Sequence, residues 1–151
     1  MIDRANIDFI DGYLSALSHL CQGTNYVPLY GAYEVQLGLL SVEKALNNHL
    51  GVATNNLTKR TENAKTLVSY LLEKWVRERL FGGNLKTKGV STRHHVYEMR
   101  SCLLDRIEDI VSTEHSIYKF GIEHDDFGYE TEALCFLGNE RCIFIYFGWW
   151  D

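Results

Sequence analysis

The spacing of apolar residues changes near residue 115, and this change constrains the fold more than any other feature of the chain. Before it, apolar side chains recur every three or four positions, which is the period of an amphipathic helix. After it, apolar and polar residues alternate, as they do around Tyr118, Phe120 and Ile122. Helices followed by strands predict an α+β fold.

About four helices are predicted in the first part of the chain. The first carries one apolar stripe, formed by Ile7, Ile10, Leu14, Leu17 and Cys21. It should end before Gly23, because glycine is a favourable residue just beyond a helix C-terminus. The others are predicted at about residues 32–50, from residue 57 or 61 to residue 81, and from residue 91 or 92 to about residue 112.

Three antiparallel strands are predicted at residues 116–124, 129–137 and 141–149, as a C-terminal meander packed on the helices. Gly138 and Asn139 suit a two-residue hairpin turn, which would place Cys135 opposite Cys142. These cysteines either form a cross-strand disulfide or pack as free thiols. We favour free thiols, because a cytosolic chain keeps its cysteines reduced.

Length and composition favour one domain, helical over residues 1–113 and β over residues 114–151. Hydrophobic residues make up 46% of the chain, which argues against disorder. The N-terminus lacks the basic start and apolar run of a signal peptide. The longest apolar run has nine residues, whereas a membrane-spanning helix needs roughly 20. We therefore expect a cytoplasmic protein that makes no contact with membranes.

Charge is distributed unevenly along the chain. Residues 59–106 contain eleven bases and five acids, whereas residues 107–151 contain ten acids and two bases. The basic part offers candidate phosphate-binding residues, Lys86, Lys88, Arg93 and Arg100. A nucleic-acid-associated or regulatory protein using this 86–100 region is therefore an alternative function, although no helix-turn-helix or zinc-finger pattern accompanies it.

The acidic part begins with an unusual segment, residues 122–132, which holds five carboxylates and one histidine. Such a cluster suits a metal or catalytic site, an acidic face for a basic partner, or a solvated turn. Metal sites draw their ligands from several elements, and no second matching cluster accompanies His124. Neither a nucleophile elbow nor a P-loop occurs in the sequence. We expect no metal, no cofactor and no enzymatic activity, with metal-dependent catalysis at His124 as a minor alternative.

Aromatic residues in the same part of the chain favour the acidic face. Clustered carboxylates attract a basic protein surface, and neighbouring tryptophan and tyrosine side chains are typical anchors of a protein interface. The predicted partner-binding residues are Glu123, Asp125, Asp126, Tyr129, Glu130, Glu132, Trp149 and Trp150.

The function predicted from these residues is that of a small protein-binding inhibitor. Its most concrete form is a bacterial toxin-immunity protein that blocks a basic, nuclease-like cleft. Both faces of the predicted hairpin are apolar, so an uncovered face would also allow a homodimer. The alternative, a sheet buried on both faces, is slightly favoured.

Overall fold

The computed structural model describes residues 4–51, 53–83, 93–111 and 115–150. Four α-helices lie within them: α1 (Arg4–Cys21), α2 (Val42–Leu50), α3 (Ala64–Trp75) and α4 (Arg93–Ile110). Five strands accompany the helices: β1 (Val27–Gln36), β2 (Thr54–Arg60), β3 (Ser116–Ile122), β4 (Glu130–Leu137) and β5 (Arg141–Trp150). Short 3-10 helices lie at Arg77–Gly83 and Asp125–Phe127. The α+β fold class is confirmed.

The sheet is larger than the sequence indicated. All five strands form one antiparallel sheet in the order β1-β5-β4-β3-β2. The three predicted C-terminal strands, β3, β4 and β5, do form the centre of this sheet. The prediction that they make up the whole sheet was wrong. Both edge strands lie within residues 1–113, the part of the chain predicted to be helical, and each overlaps a predicted helix at most in part.

Strand β1 overlaps the helix predicted at residues 32–50. Its outer edge is capped by α1, since Ser18 Oγ accepts the N–H of Tyr30 at 3.0 Å and Asp11 Oδ1 accepts that of Ala32 at 2.9 Å. Pro28 precedes Tyr30 by two residues and Ala32 by four. Because the N–H groups of a strand alternate between its two edges, the N–H that Pro28 lacks would lie on the edge facing away from β5. A strand with proline is stable here because no ladder bond is lost.

Strand β2 overlaps the predicted third helix only if that helix is given its earlier start at residue 57, since β2 ends just before residue 61. It is mostly polar and carries a bulge between Asn55 and Thr58, with Asn56 at a positive φ of 53°. Helix α3 begins only after Asn63, whose side chain accepts the N–H of Thr66 at 2.9 Å. Bulged, polar edge strands resist pairing with other chains, but they lack the alternation that reveals a strand in a sequence.

The helical predictions hold where an apolar stripe packs on the sheet. In α1, the predicted residues Ile10, Leu14, Leu17 and Cys21 are all buried. The second half of the predicted second helix survives as α2, which Ser41 caps at its N-terminus. Gly51 ends α2 at φ 70°, donating its N–H to the Asn47 carbonyl.

Both faces of the sheet are buried, as the favoured alternative expected. Helices α1, α3 and α4 cover the face that carries Leu134, Phe136, Ile143, Ile145 and Phe147. Helix α2 and Phe127 cover the other face, which carries Cys135, Cys142 and Phe144. Within the described residues, both apolar faces at the centre of the sheet are therefore covered, and a homodimer stays a prediction.

The hairpin between β4 and β5 differs in register from the prediction. Leu137 pairs with Cys142 and Cys135 pairs with Phe144, because residues 138–140 lie between the strands. The carbonyl of Glu140 accepts the N–H of Leu37 at 3.0 Å, which ties this longer turn to the end of β1. A shift of two positions keeps every side chain on its predicted face. Cys135 and Cys142 are buried free thiols.

Candidate functional site

An aromatic cluster lies at the end of the sheet where β4 begins and β5 ends. We call Tyr129, Trp149 and Trp150 the aromatic surface. The ring of Tyr129 lies 4.5 Å from that of Trp150 and 5.9 Å from that of Trp149, edge-on to both. Tyr129 is 64% exposed. These three predicted partner-binding residues therefore do form one accessible cluster.

The aromatic surface is anchored to the core from below. Tyr26 stacks on Trp149 with ring centroids 5.9 Å apart, and the Arg79 guanidinium lies 3.9 Å from the centre of the Tyr26 ring. The hydroxyl groups of Tyr26 and Tyr30 are 3.0 Å apart, and Tyr30 donates to the Trp75 carbonyl. A side chain that is already fixed loses little entropy when it binds, so this surface is preorganised.

A tight loop places Tyr129 above the end of β5. Gly128 has a φ of 98°, and a Cβ there would lie 2.5 Å from the carbonyl oxygen of Trp149. The loop is held by the N–H of Tyr129, which donates to that same carbonyl at 2.8 Å, and by Thr131 Oγ1, which donates to the Phe127 carbonyl at 2.8 Å. The close approach of two backbones is what projects the Tyr129 ring into solvent.

Three of the predicted carboxylates are exposed near this loop. Glu130 follows Tyr129 directly, and its carboxylate is 3.7 Å from Lys74 Nζ. Glu123 accepts a hydrogen bond from Asn55 Nδ2 at 2.8 Å, and Asp126 lies 3.4 Å from His124 Nδ1. The Asp125 side chain lies outside the described part of the structure. Glu123, Asp126 and Glu130 thus remain available to a basic partner.

Glu132 is placed differently from the other acids. Its side chain is only 12% exposed, and its two oxygens are bound by Lys74 and, at 2.9 Å, by Lys119. Burial alone would raise the pKa of this carboxyl, but the hydrogen bonds from the two lysines outweigh burial and lower the pKa. As predicted, Glu130 and Glu132 point to the same face of β4, since both reach Lys74. Glu132 is nevertheless neutralised within the chain.

The Lys74–Glu132–Lys119 group forms one wall of a pocket between α3 and strands β2, β3 and β4. We call this cavity of about 400 Å³ the polar pocket. Its other polar side chains include Asn56, Thr58, Arg60 and Tyr70. The sequence showed no sign of it, because β2, which forms one side of the pocket, was not recognised as a strand.

The predicted phosphate-binding residues are only partly described. Lys86, Lys88 and the Arg93 side chain lie outside the described residues. Arg100 is engaged within the chain: its Nη1 donates to Ser69 Oγ at 3.1 Å, and its guanidinium lies 4.8 Å from the centre of the Tyr97 ring. Phosphate binding by this group stays a prediction.

Two further questions concern metals and membranes. Among the side chains that the structure describes, no three of the histidine, cysteine, aspartate and glutamate type converge where a metal ion would sit. None of the described helices combines the length and the apolar character needed to cross a membrane.

Comparison with known proteins gives information about the fold of this chain but none about its candidate site. The chain is similar in structure to citrus MAF1, with a TM-score of 0.55 and 10% sequence identity over 96% of this chain and 98% of the citrus chain. At that identity the similarity shows the fold alone. No family model and no curated protein matches the sequence.

Proposed function

We propose that this protein binds another protein through the aromatic surface and acts as an inhibitor of that partner. The observation that carries the proposal is the exposed packing of Tyr129 on Trp149 and Trp150, beside the carboxylate of Glu130. Aromatic side chains of this kind contribute a large share of binding energy where they are fixed and accessible. The rings here meet both conditions.

Charge supports a basic partner. Glu123, Asp126 and Glu130 are exposed acids near the aromatic surface, and among the described residues each carboxylate has one hydrogen-bond or ion-pair partner. Carboxylates around an aromatic centre steer a positively charged surface toward it and exclude negatively charged ones. We do not expect Glu132 to contact the partner directly, because Lys74 and Lys119 already bind it.

The most concrete form of the proposal is a bacterial toxin-immunity protein that occludes the basic cleft of a nuclease. Such a cleft is positively charged because it binds phosphate groups, and blocking it requires a rigid acidic surface with apolar anchors. The aromatic surface with its three acids has that composition.

The test is capture of the partner from nuclease-treated lysate of the cells that make the protein. Tagged wild-type protein should retain one stoichiometric protein partner. Tyr129→Ala and Glu130→Lys should each lose it, because one removes the most exposed ring and the other reverses a charge. Tyr97→Ala is the matched control, since Tyr97 is an exposed tyrosine on α4, away from the aromatic surface.

Retention that is equal for wild type, Tyr129→Ala and Glu130→Lys would place the interface elsewhere and overturn the assignment of this surface. A partner that is captured from untreated lysate but lost after nuclease treatment would instead favour nucleic-acid association. Capture of no partner at all would contradict the inhibitor proposal itself.

A further inference from the structure

The polar pocket is a second candidate site, separate in chemistry from the aromatic surface. Cations reach it from three elements: Arg60 from β2, Lys74 from α3 and Lys119 from β3. The exposed Tyr70 lies between them, with Lys119 Nζ 4.9 Å from the centre of its ring. Its volume of about 400 Å³ is within the range of small-molecule sites, which is roughly 300–1,000 Å³.

The pocket has more hydrogen-bond donors than it uses. Each lysine ammonium carries three donors; Lys74 donates one of them to Glu132, and Lys119 forms an ion pair with the other oxygen of Glu132 at 2.9 Å. Arg60 binds Glu62 through Nε and Nη2, which leaves its Nη1 without a partner among the described residues. The hydroxyl of Tyr70 likewise has no hydrogen-bond partner in the described structure. A ligand that satisfies this pocket must therefore be rich in acceptors.

Glu132 fixes the position of the two lysines. Free lysine side chains are flexible, and ordering them opposes binding. Here a largely buried carboxylate binds both ammonium groups at once, so that they meet at one wall of the pocket. Glu132 is thus a positioning residue, and both of the lysines that it positions line the pocket.

We propose that the polar pocket binds the phosphate group of a small phosphorylated molecule. A tetrahedral phosphate presents acceptors in several directions, as cations arriving from three elements require. The volume leaves room for the rest of the molecule. Glu130 also lines the pocket and supplies an acceptor for a hydroxyl group of that remainder.

The test measures the binding of inorganic phosphate to the whole chain. Backbone amide signals are followed by NMR during titration with phosphate at constant ionic strength. The signals of Gly121 and Thr131, which line the pocket, should shift and saturate at millimolar phosphate. The same titration with sodium acetate separates a phosphate site from a general carboxylate site, and equal saturation by acetate would overturn the assignment to phosphate.

Two variants test the geometry independently of net charge. The double variant Lys119→Met with Glu132→Gln keeps the net charge and leaves no unpaired buried carboxylate, so it should fold. It should weaken phosphate binding about tenfold, as expected for the loss of one charge-assisted hydrogen bond together with the carboxylate that positions Lys74. Lys44→Met with Glu43→Gln is the matched control, because it also keeps the net charge and replaces two exposed residues of α2, on the other face of the sheet; it should leave binding unchanged.

A third variant separates this site from the protein interface. Glu130→Gln removes a negative charge from the pocket and should tighten phosphate binding several-fold, whereas it should weaken capture of a protein partner. Shifts that never saturate, or that are equal in the double variant and wild type, would show an adventitious ion only and overturn the proposal. Either result leaves the protein-binding test unaffected, because that test measures a different molecule.

Discussion

In the aromatic surface, Tyr129 and its two tryptophan neighbours contact one another and stay accessible, whereas in the polar pocket Lys74 and Lys119 are held by a largely buried carboxylate. The two regions meet at the start of strand β4, which Tyr129 directly precedes, and Glu130 and Glu132 lie on the same face of that strand. Their side chains are 58% and 12% exposed. The difference arises from their surroundings: helix α3 brings Lys74 over both carboxylates, but Lys119 of β3 reaches only Glu132.

This comparison shows that the position of a carboxylate along a strand does not determine its role. Glu130 is an exposed acid whose interaction with Lys74 is screened by water, and such pairs contribute little to stability. Glu132 is removed from water, so its ion pairs are needed to offset the cost of its burial. The same residue type is therefore accessible to a partner at one position and stabilises internal structure at the other.

The largest expected effect is on the loop that carries the aromatic surface. Gly128→Ala would force a side chain onto a φ of 98° and against the Trp149 backbone, so we expect a loss of about 2–4 kcal/mol in the free energy of unfolding. Urea denaturation followed by fluorescence measures it. Gly12→Ala is the control, because a Cβ at Gly12 in α1 meets open space and should be neutral or stabilising. Equal stability of Gly128→Ala and wild type would contradict the close packing of this loop.

Replacing the two carboxylates should sharpen the comparison. Glu132→Gln removes a charge that two lysines share, and should lower the free energy of unfolding by about 1–3 kcal/mol. Glu130→Gln should change it by less than about 0.5 kcal/mol. Urea unfolding of both variants at the same ionic strength is the measurement. Similar losses for the two variants would mean that Glu132 is not the internal member of the pair.

The pH dependence of stability tests the same residue in another way. The two lysines lower the pKa of Glu132 below its usual 4.5, so its contribution is complete above about pH 4.5 and is lost as the pH falls through the folded-state pKa. The stability difference between wild type and Glu132→Gln should thus be constant near neutral pH and shrink below pH 4.5. A difference that grows in acid would require a raised pKa and would refute the ion-pair account.

The smallest effect on stability is expected at the outermost ring. Tyr129→Ala removes a side chain that is 64% exposed, and should change the free energy of unfolding by about 1 kcal/mol or less. It should still abolish partner capture under the proposed function. Tyr97→Ala, with a similar exposure, gives the reference value for both measurements. A large loss of stability in Tyr129→Ala alone would assign that ring to structure and not to recognition.

The candidate site was predictable in part. The aromatic residues and the acids were identified because they are dense in a short stretch of sequence, and Tyr129, Trp149 and Trp150 do lie together. Tyr26 and Arg79, which support them, were missed because they come from distant segments with no pattern of their own. The role of Glu132 was also missed, since its lysine partners are 58 and 13 positions away in the chain and are brought to it only by packing.

The sequence by itself determined the α+β class, helices α1 and α4, and the three central strands. Helical hydrogen bonds are local and an apolar stripe marks the buried face. Alternation marks β3 as a strand, while the nearly continuous apolar runs of β4 and β5 reflect a position between two packed layers. Only the tertiary structure decided that Val27–Gln36 and Thr54–Arg60 are strands. An edge strand owes its hydrogen bonds to a neighbour far away in the chain: β1 pairs with β5, and β2 pairs with β3. That dependence on a distant partner is why neither edge could be recognised from its own residues.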